Sequence, residues 1–144
     1  MITQAITEEA RNKILNSVGE YKPESGGVIA CSDEGIIVDF YFDTEAGTGQ
    51  ASYKPSIEAI NQQVNCTWAK LGCHFRGMVH SHPIHGNSDL SNSDVDMAKK
   101  IMLHNNLPSM LLIVVHSKNL FAWEVFCDEN ESRSQIEARK LEVI

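Results

Sequence analysis

The sequence predicts a single α/β domain in which a mixed β-sheet is flanked by helices. Three observations lead to this fold class. The chain has 144 residues, the length of one domain. Apolar residues make up 42% of the chain, which is enough for a hydrophobic core, and charged residues make up 22%, close to the globular average, so disorder is not expected. The hydrophobic pattern gives the order α-ββ-α-β-α-ββ, and helices mixed among hairpins are typical of a mixed sheet with helices on it.

The first predicted elements are a helix and a β-hairpin. Thr7 is a hydroxyl cap followed by acids, which is typical of a helix start, and Gly19 is typical of a helix end. One apolar stripe runs along this helix and consists of Ala10, Ile14, Leu15 and Val18. Strands at Gly27–Cys31 and Ile36–Phe42 flank a short polar turn, so together they predict a hairpin.

A loop, a second helix and a third strand follow. The segment from Asp43 to Tyr53 is rich in Gly, Thr and Ser, and we expect a mobile loop there. Pro55 opens a helix and Gly72 ends it. The apolar stripe of this helix consists of Ile57, Ile60, Val64, Trp68 and Leu71. The next strand spans Phe75 to His82 and leads into a polar loop.

The last third of the chain predicts one helix and a second hairpin. Ser91 caps a helix whose buried face consists of Val95, Ala98 and Met102. Two strands follow at Ser109–Val115 and Leu120–Phe126. The tail from Asp128 is charged, and its apolar positions fit a short helix poorly. We therefore expect one domain over residues 1–144, ending in a charged tail.

Composition argues against two classes of partner. The net charge is −7 and there is no basic run, so we expect no nucleic acid as a partner. The longest strongly apolar run, Met110 to Val115, falls far short of the roughly 18 residues that span a membrane. The amino terminus has no signal-peptide pattern, and the four cysteines are widely spaced with no C-x-x-C pair. These features predict a cytoplasmic protein with reduced thiols.

Two histidines at the end of the third strand suggest a metal site. Side chains on a strand alternate between its faces, so His80 and His82 share one face and Ser81 lies on the other. Pro83 ends the strand because proline cannot donate to the ladder. Two imidazoles on one face can share a metal ion. A short H-x-H motif is nevertheless matched by chance in many proteins, and a single histidine is more often a satisfied residue than a ligand.

Asp94 is the best candidate for a third ligand, because zinc usually takes three protein ligands at catalytic sites. It lies in the first turn of the helix that leaves the loop, one turn after Ser91 and on the same side. Asp96 would lie on nearly the opposite side of the helix. The alternative interpretation is a capping box between Ser91 and Asp94 that needs no metal.

The combined motif resembles the signature of the JAMM (MPN+) metalloprotease family. His80-Ser81-His82-Pro83 and the later Ser91-x-x-Asp94 carry the resemblance, together with an upstream glutamate, Glu24, just before Gly26-Gly27. Five polar residues thus recur in order at three separate places, and the similarity covers roughly residues 20 to 126. Without the family pattern, Glu24 would be read as an exposed acid in the turn after Pro23.

The resemblance implies a JAB/MPN fold of the cytidine-deaminase-like type and one Zn²⁺ per chain. His80, His82 and Asp94 match the zinc ligands, and Glu24 matches the general acid/base. Ser91 matches the hydroxyl that stabilises the developing oxyanion. The loop before Ser91 has eight residues where the family pattern has seven, so Ser88 is the alternative for that role.

The resemblance also implies an activity and partners. Family members hydrolyse isopeptide or peptide bonds at the C-terminus of ubiquitin or a ubiquitin-like protein, and bacterial relatives often work beside ubiquitin-like activating enzymes. The alternatives are a protein-binding module without catalysis and a phage-associated metallopeptidase that acts on cell-wall peptides. Loop residue His85 could touch substrate or a second metal. The remaining histidines, His74, His104 and His116, have no partner visible in the sequence.

Overall fold

The computed structural model describes residues 2–18, 25–43, 55–82, 89–127 and 135–144. Within these ranges the chain forms seven strands and three α-helices, and the second helix continues as a π-helical segment. In chain order the elements are β1 (Thr3–Ile6), α1 (Glu8–Ser17), β2 (Gly26–Cys31), β3 (Ile37–Phe42), α2 (Ile57–Gln62), the π segment (Gln63–Trp68), β4 (His74–Ser81), α3 (Asn92–Asn105), β5 (Ser109–His116), β6 (Asn119–Phe126) and β7 (Gln135–Val143). None of the described helices has the length and apolar character of a membrane span.

The strands form one closed sheet in the order β1-β3-β2-β4-β5-β6-β7. Strand β1 runs parallel to β3 and to β7, and β4 runs parallel to β5, whereas the other neighbouring pairs are antiparallel. A parallel pair requires a crossover, and α3 provides the one between β4 and β5. The predicted fold class, a mixed sheet flanked by helices, is therefore confirmed.

Two apolar cores lie on the two faces of this sheet. The core against α1 includes Ile14 and Leu111, and the core against α2, the π segment and α3 includes Trp68 and Leu112. Leu111 and Leu112 are successive residues of β5, and strand alternation directs them to opposite cores. Burial on both sides explains why β5 is the most continuous apolar run in the chain.

The second helix differs from the predicted one at both ends of its apolar stripe. Ile57 is 62% exposed and Leu71 is 68% exposed, whereas Trp68 is fully buried. Ile57 is the first residue of α2 and lies before the π segment, Gln63–Trp68. For Leu71, which follows that segment, the reason is that hydrogen bonds in the segment reach one residue further than in an α-helix. This spacing shifts the angular position of every later side chain, so a stripe drawn with α-helical spacing does not stay on one face.

The sequence pattern predicts neither the first strand, β1, nor the last, β7. It predicts no strand in the charged tail from Asp128, and this is wrong: residues 128–134 lie outside the described part of the chain, but β7 follows them. Only Arg139 is buried in β7, so the strand lacks the apolar alternation by which strands are recognised. Strand β7 is held by its pairing with β6 and with the short β1.

Candidate metal centre

Two histidines lie at the carboxyl end of β4, between β2 and β5. His80 is the register partner of Gly26 on β2 and of Val114 on β5. The parallel pairing continues one residue past β4, because the His82 N–H donates to the Val115 carbonyl oxygen at 3.1 Å. The two imidazole rings lie on the same side of the sheet with their centroids 4.9 Å apart. This is the arrangement that the alternation of strand side chains predicts.

The start of β2 is held tightly against this histidine pair. The Ser25 N–H donates to Ser81 Oγ at 3.1 Å, and the Ser81 N–H donates to the Ser25 carbonyl oxygen at 2.9 Å. A Cβ atom at Gly26 would lie 2.2 Å from the Val79 carbonyl oxygen and 3.1 Å from His80 Cβ. Only glycine therefore allows β2 to approach β4 this closely beside His80.

We expect Gly26→Ala to weaken metal binding as well as stability. The added methyl group must push β2 away from β4 at His80, which we expect to cost about 1–3 kcal/mol of unfolding free energy. Gly35→Ala is the matched control: it strains a turn residue with φ of +79° but meets no atom within 4 Å. Chemical denaturation and zinc titration of both variants check this, and equal zinc affinity in the two would contradict it.

A capping box at the start of α3 orients the predicted third ligand. Ser91 has extended backbone angles and its Oγ accepts a hydrogen bond from the Asp94 N–H at 3.1 Å. In return, Asp94 Oδ2 accepts from the Ser91 N–H at 2.9 Å. The sequence left open whether Asp94 is part of a helix cap or a metal ligand. In the structure its carboxylate caps the helix and also faces the histidines. The cap holds the Asp94 side chain in a fixed direction at the helix start.

The two histidines and the aspartate converge on one point. His80 Nε2 and His82 Nε2 are 3.0 Å apart, and these atoms lie 3.1 Å from Asp94 Oδ1 and 3.5 Å from Asp94 Oδ2, respectively. Zinc bonds of about 2.0–2.1 Å in tetrahedral geometry put ligand atoms about 3.3 Å apart. The observed separations bracket this value, so the three side chains fit a zinc ion.

Burial and charge at this cluster also suit a cation. The side chains of His80, His82 and Asp94 are only 3%, 11% and 12% exposed. Burial alone would raise the pKa of Asp94, but hydrogen bonds from His80 and His82 outweigh it and hold that pKa well below its usual range. The aspartate is therefore an anion at neutral pH, as a metal ligand must be.

The nitrogen that His80 offers is also defined. Within the described residues, its Nδ1 is buried and has no hydrogen-bond partner, whereas its Nε2 faces His82 and Asp94. The Nε2 atom is therefore the one available to a metal ion. Asp96, the lower-ranked alternative ligand, is exposed on α3 and does not belong to this cluster.

Several predicted functional positions lie outside the described residues. These are the general acid/base candidate Glu24, the alternative serine Ser88 and the loop histidine His85. Residues 44–53 of the predicted mobile loop also lie outside the described residues. For Ser81, strand alternation predicts only that it lies on the face opposite the histidines. Its bond to Ser25 depends on the pairing of β2 with β4, which no local sequence pattern reveals.

Comparison with known proteins identifies the family. The sequence profile described as prokaryotic homologs of the JAB domain matches residues 4–126, so it ends with β6 and leaves β7 outside. No curated protein sequence matches the chain.

Two solved structures share the fold. One is the solution structure of a protein from Desulfitobacterium hafniense, with a TM-score of 0.66 and 14% identity over 100% of this chain and 93% of the other. The second is the crystal structure of a JAB1/MPN domain protein from Archaeoglobus fulgidus, with a TM-score of 0.53 and 15% identity over 99% of this chain and 98% of the other. The profile match over most of the chain shows that the chain belongs to the family of prokaryotic JAB-domain proteins, and the two solved structures share its fold.

Proposed function

We propose that this protein is a zinc-dependent peptidase that cleaves the isopeptide or peptide bond after the C-terminal glycine of a ubiquitin-like modifier. The observation that carries the proposal is the convergence of His80 Nε2, His82 Nε2 and the Asp94 carboxylate at the end of β4. In a JAB-domain chain, this cluster is a reason to expect metal-dependent hydrolysis rather than binding alone.

The proposed reaction uses both a bound metal ion and side chains of the protein. His80, His82 and Asp94 would hold the ion, which when bound supplies a Lewis acid and lowers the pKa of a coordinated water to about 7. Glu24 is proposed to accept the proton of the attacking water and to deliver it to the leaving amine. Ser25 follows Glu24 in the chain, and both its N–H and its carbonyl oxygen are hydrogen-bonded to Ser81. Ser81 lies between the two histidines in the sequence, and this connection to the metal cluster supports the role of Glu24.

Ser91 is proposed to stabilise the oxyanion that develops on the attacked carbonyl group. Its Oγ already accepts a hydrogen bond from the Asp94 N–H, so the hydroxyl proton remains available for donation. The Ser93 hydroxyl lies 3.1 Å from it and is a neighbouring acceptor or donor. Ser91 is exposed, so a substrate can reach the hydroxyl beside Asp94.

We expect Ser91→Ala to slow cleavage and to spare the metal. Loss of an oxyanion donor costs roughly 10²–10³ in kcat, and loss of the helix cap costs about 1 kcal/mol of stability. Zinc content should stay at one per chain, because the Ser91 backbone N–H still bonds Asp94. Steady-state kinetics, denaturation and metal analysis measure the three effects.

Two serine variants serve as comparisons for that experiment. Ser93→Ala removes a neighbouring hydroxyl that does not cap the helix, so it should retain most of the activity. If Ser88→Ala gave the kinetic defect and Ser91→Ala did not, the oxyanion role would belong to Ser88, and the longer loop would be the reason.

A panel of substrates tests the function itself. We would incubate the protein with fusions that carry different ubiquitin-like C-termini, with and without a chelator. The expected result is cleavage directly after the terminal glycine of at least one fusion, only while metal is present. If no fusion is cleaved, the proposal is wrong. A protein that also contains well below one zinc per chain would instead be a binding module without catalysis.

A further inference from the structure

A third histidine lies beside the metal cluster on the neighbouring strand. Ser81 of β4 is the register partner of Val115 of β5, and the bond from the His82 N–H to the Val115 carbonyl oxygen extends this parallel pairing by one residue. His82 therefore lies next to His116. Adjacent strands are about 4.8 Å apart, so the two backbones are close neighbours.

His116 also shares the face of the metal ligands. His80 is the register partner of Val114, and both His82 and His116 follow two residues later on their strands. Side chains two residues apart on a strand lie on the same face. The fold thus places three histidines on one face at the carboxyl ends of two parallel strands.

The side chain of His116 has a buried polar atom that nothing satisfies within the described residues. Its Nε2 is inaccessible to solvent and has no hydrogen-bond partner there, although the residue as a whole is half-buried. Such an atom has lost its water without gaining a replacement, which is unfavourable and therefore rare. The residue is partly exposed, so a ligand can give this nitrogen a partner if the imidazole ring turns outward to meet it.

A tight hairpin turn directly after His116 fixes the position of this residue at the end of β5. Ser117 and Lys118 form the two-residue turn to β6 with φ of 51° and 63°, in the left-handed region that glycine and asparagine favour. The Asn119 side chain donates to the Ser117 carbonyl oxygen at 3.1 Å and supports the turn. Positive φ at both central residues is the geometry of a type I′ hairpin turn, so the turn holds His116 in place as the last residue of β5.

We propose that His116 is a substrate-binding residue, whose imidazole turns outward when substrate binds and forms a hydrogen bond with the main chain of the modifier tail beside the cleaved bond. The inference rests on the proposed function. A glycine at the end of the tail has no side chain to recognise, so its main-chain N–H and C=O groups are the polar atoms available. An imidazole nitrogen can pair with either group.

Two substitutions of matched size test the proposal. His116→Leu fills the space without a polar atom, and His116→Gln keeps a hydrogen-bonding group near the same position. With the fusion that the wild type cleaves fastest, we expect His116→Leu to raise KM about five- to tenfold, with kcat nearly unchanged. His116→Gln should restore KM to near the wild-type value. Both variants should retain one zinc per chain.

His104→Leu, at an exposed histidine near the end of α3, is the control and should change neither KM nor kcat.

The outcomes separate this inference from the proposed function. An unchanged KM in His116→Leu overturns the inference and leaves the function intact. Loss of zinc in either variant would make His116 part of the metal site and would also overturn the inference. If both variants fail to fold, the residue is structural and the inference is again overturned. If the wild type cleaves no fusion in the panel, the function and the inference fail together.

Discussion

His82→Ala is expected to purify with well below one zinc per chain, whereas we expect the wild type to retain one. Two protein ligands hold zinc poorly, and the substitution removes the nitrogen that lies 3.0 Å from His80 Nε2 and 3.5 Å from Asp94 Oδ2. The remaining His80 and Asp94 would offer a metal ion only two protein ligands. We expect zinc affinity to fall by more than about 100-fold, beyond the usual effect of losing an outer-shell partner.

Metal analysis after gel filtration and a competitive zinc titration measure this loss. Thermal unfolding gives an independent readout, because zinc at 100 times its Kd stabilises a folded protein by about 2.7 kcal/mol. The wild type should show this stabilisation, and His82→Ala should not. His104→Ala, an exposed histidine on α3, controls for loss of any imidazole. Full zinc occupancy in His82→Ala would mean that the wrong histidines have been chosen.

Glu24→Gln is expected to retain zinc and lose turnover. The amide keeps the size of the side chain but cannot accept the proton of the attacking water, and a general base of this kind contributes roughly 10²–10⁴ to the rate. The proposed zinc ligands are untouched, so metal content and the zinc-dependent rise in unfolding temperature should match those of the wild type. The combination distinguishes a proton carrier from a metal ligand, whose loss would affect both measurements.

The control for this variant is Glu34→Gln, which makes the same chemical change in the exposed turn between β2 and β3. It should leave cleavage and zinc content unchanged. Wild-type cleavage rates in Glu24→Gln would overturn the role of Glu24 and return it to the simpler interpretation, an exposed acid in the turn after Pro23. Zinc loss in Glu24→Gln would instead suggest that the carboxylate is itself a ligand.

Much of the metal cluster follows from local rules of chain geometry. The spacing of His80 and His82 puts them on one face of any strand, and the Ser91-x-x-Asp94 spacing puts a carboxylate at a capped helix start. Both rules act over a few residues and hold whatever surrounds the segment. The sequence did not reveal that the cap and the ligand are one carboxylate, because that depends on α3 starting beside β4.

The parts that sequence reasoning missed depend on contacts between distant segments. Strand β7 has one buried residue, Arg139, and is held by its pairing with β1 and β6. The π segment shifts the helix face that Trp68 buries, which α-helical spacing does not anticipate. A strand with little buried surface leaves no apolar pattern, and a change of helix type leaves no composition signal.

The sequence by itself determined the element order through the middle of the chain and the residue types that can bind a metal. It did so because side-chain periodicity and helix capping are properties of a single segment. Only the tertiary structure decided that Ser25 is hydrogen-bonded to Ser81, that β1 and β7 close the sheet, and that His116 lies beside His82. Strand register is set by packing and hydrogen bonding across the whole sheet, and no short stretch of sequence contains that information.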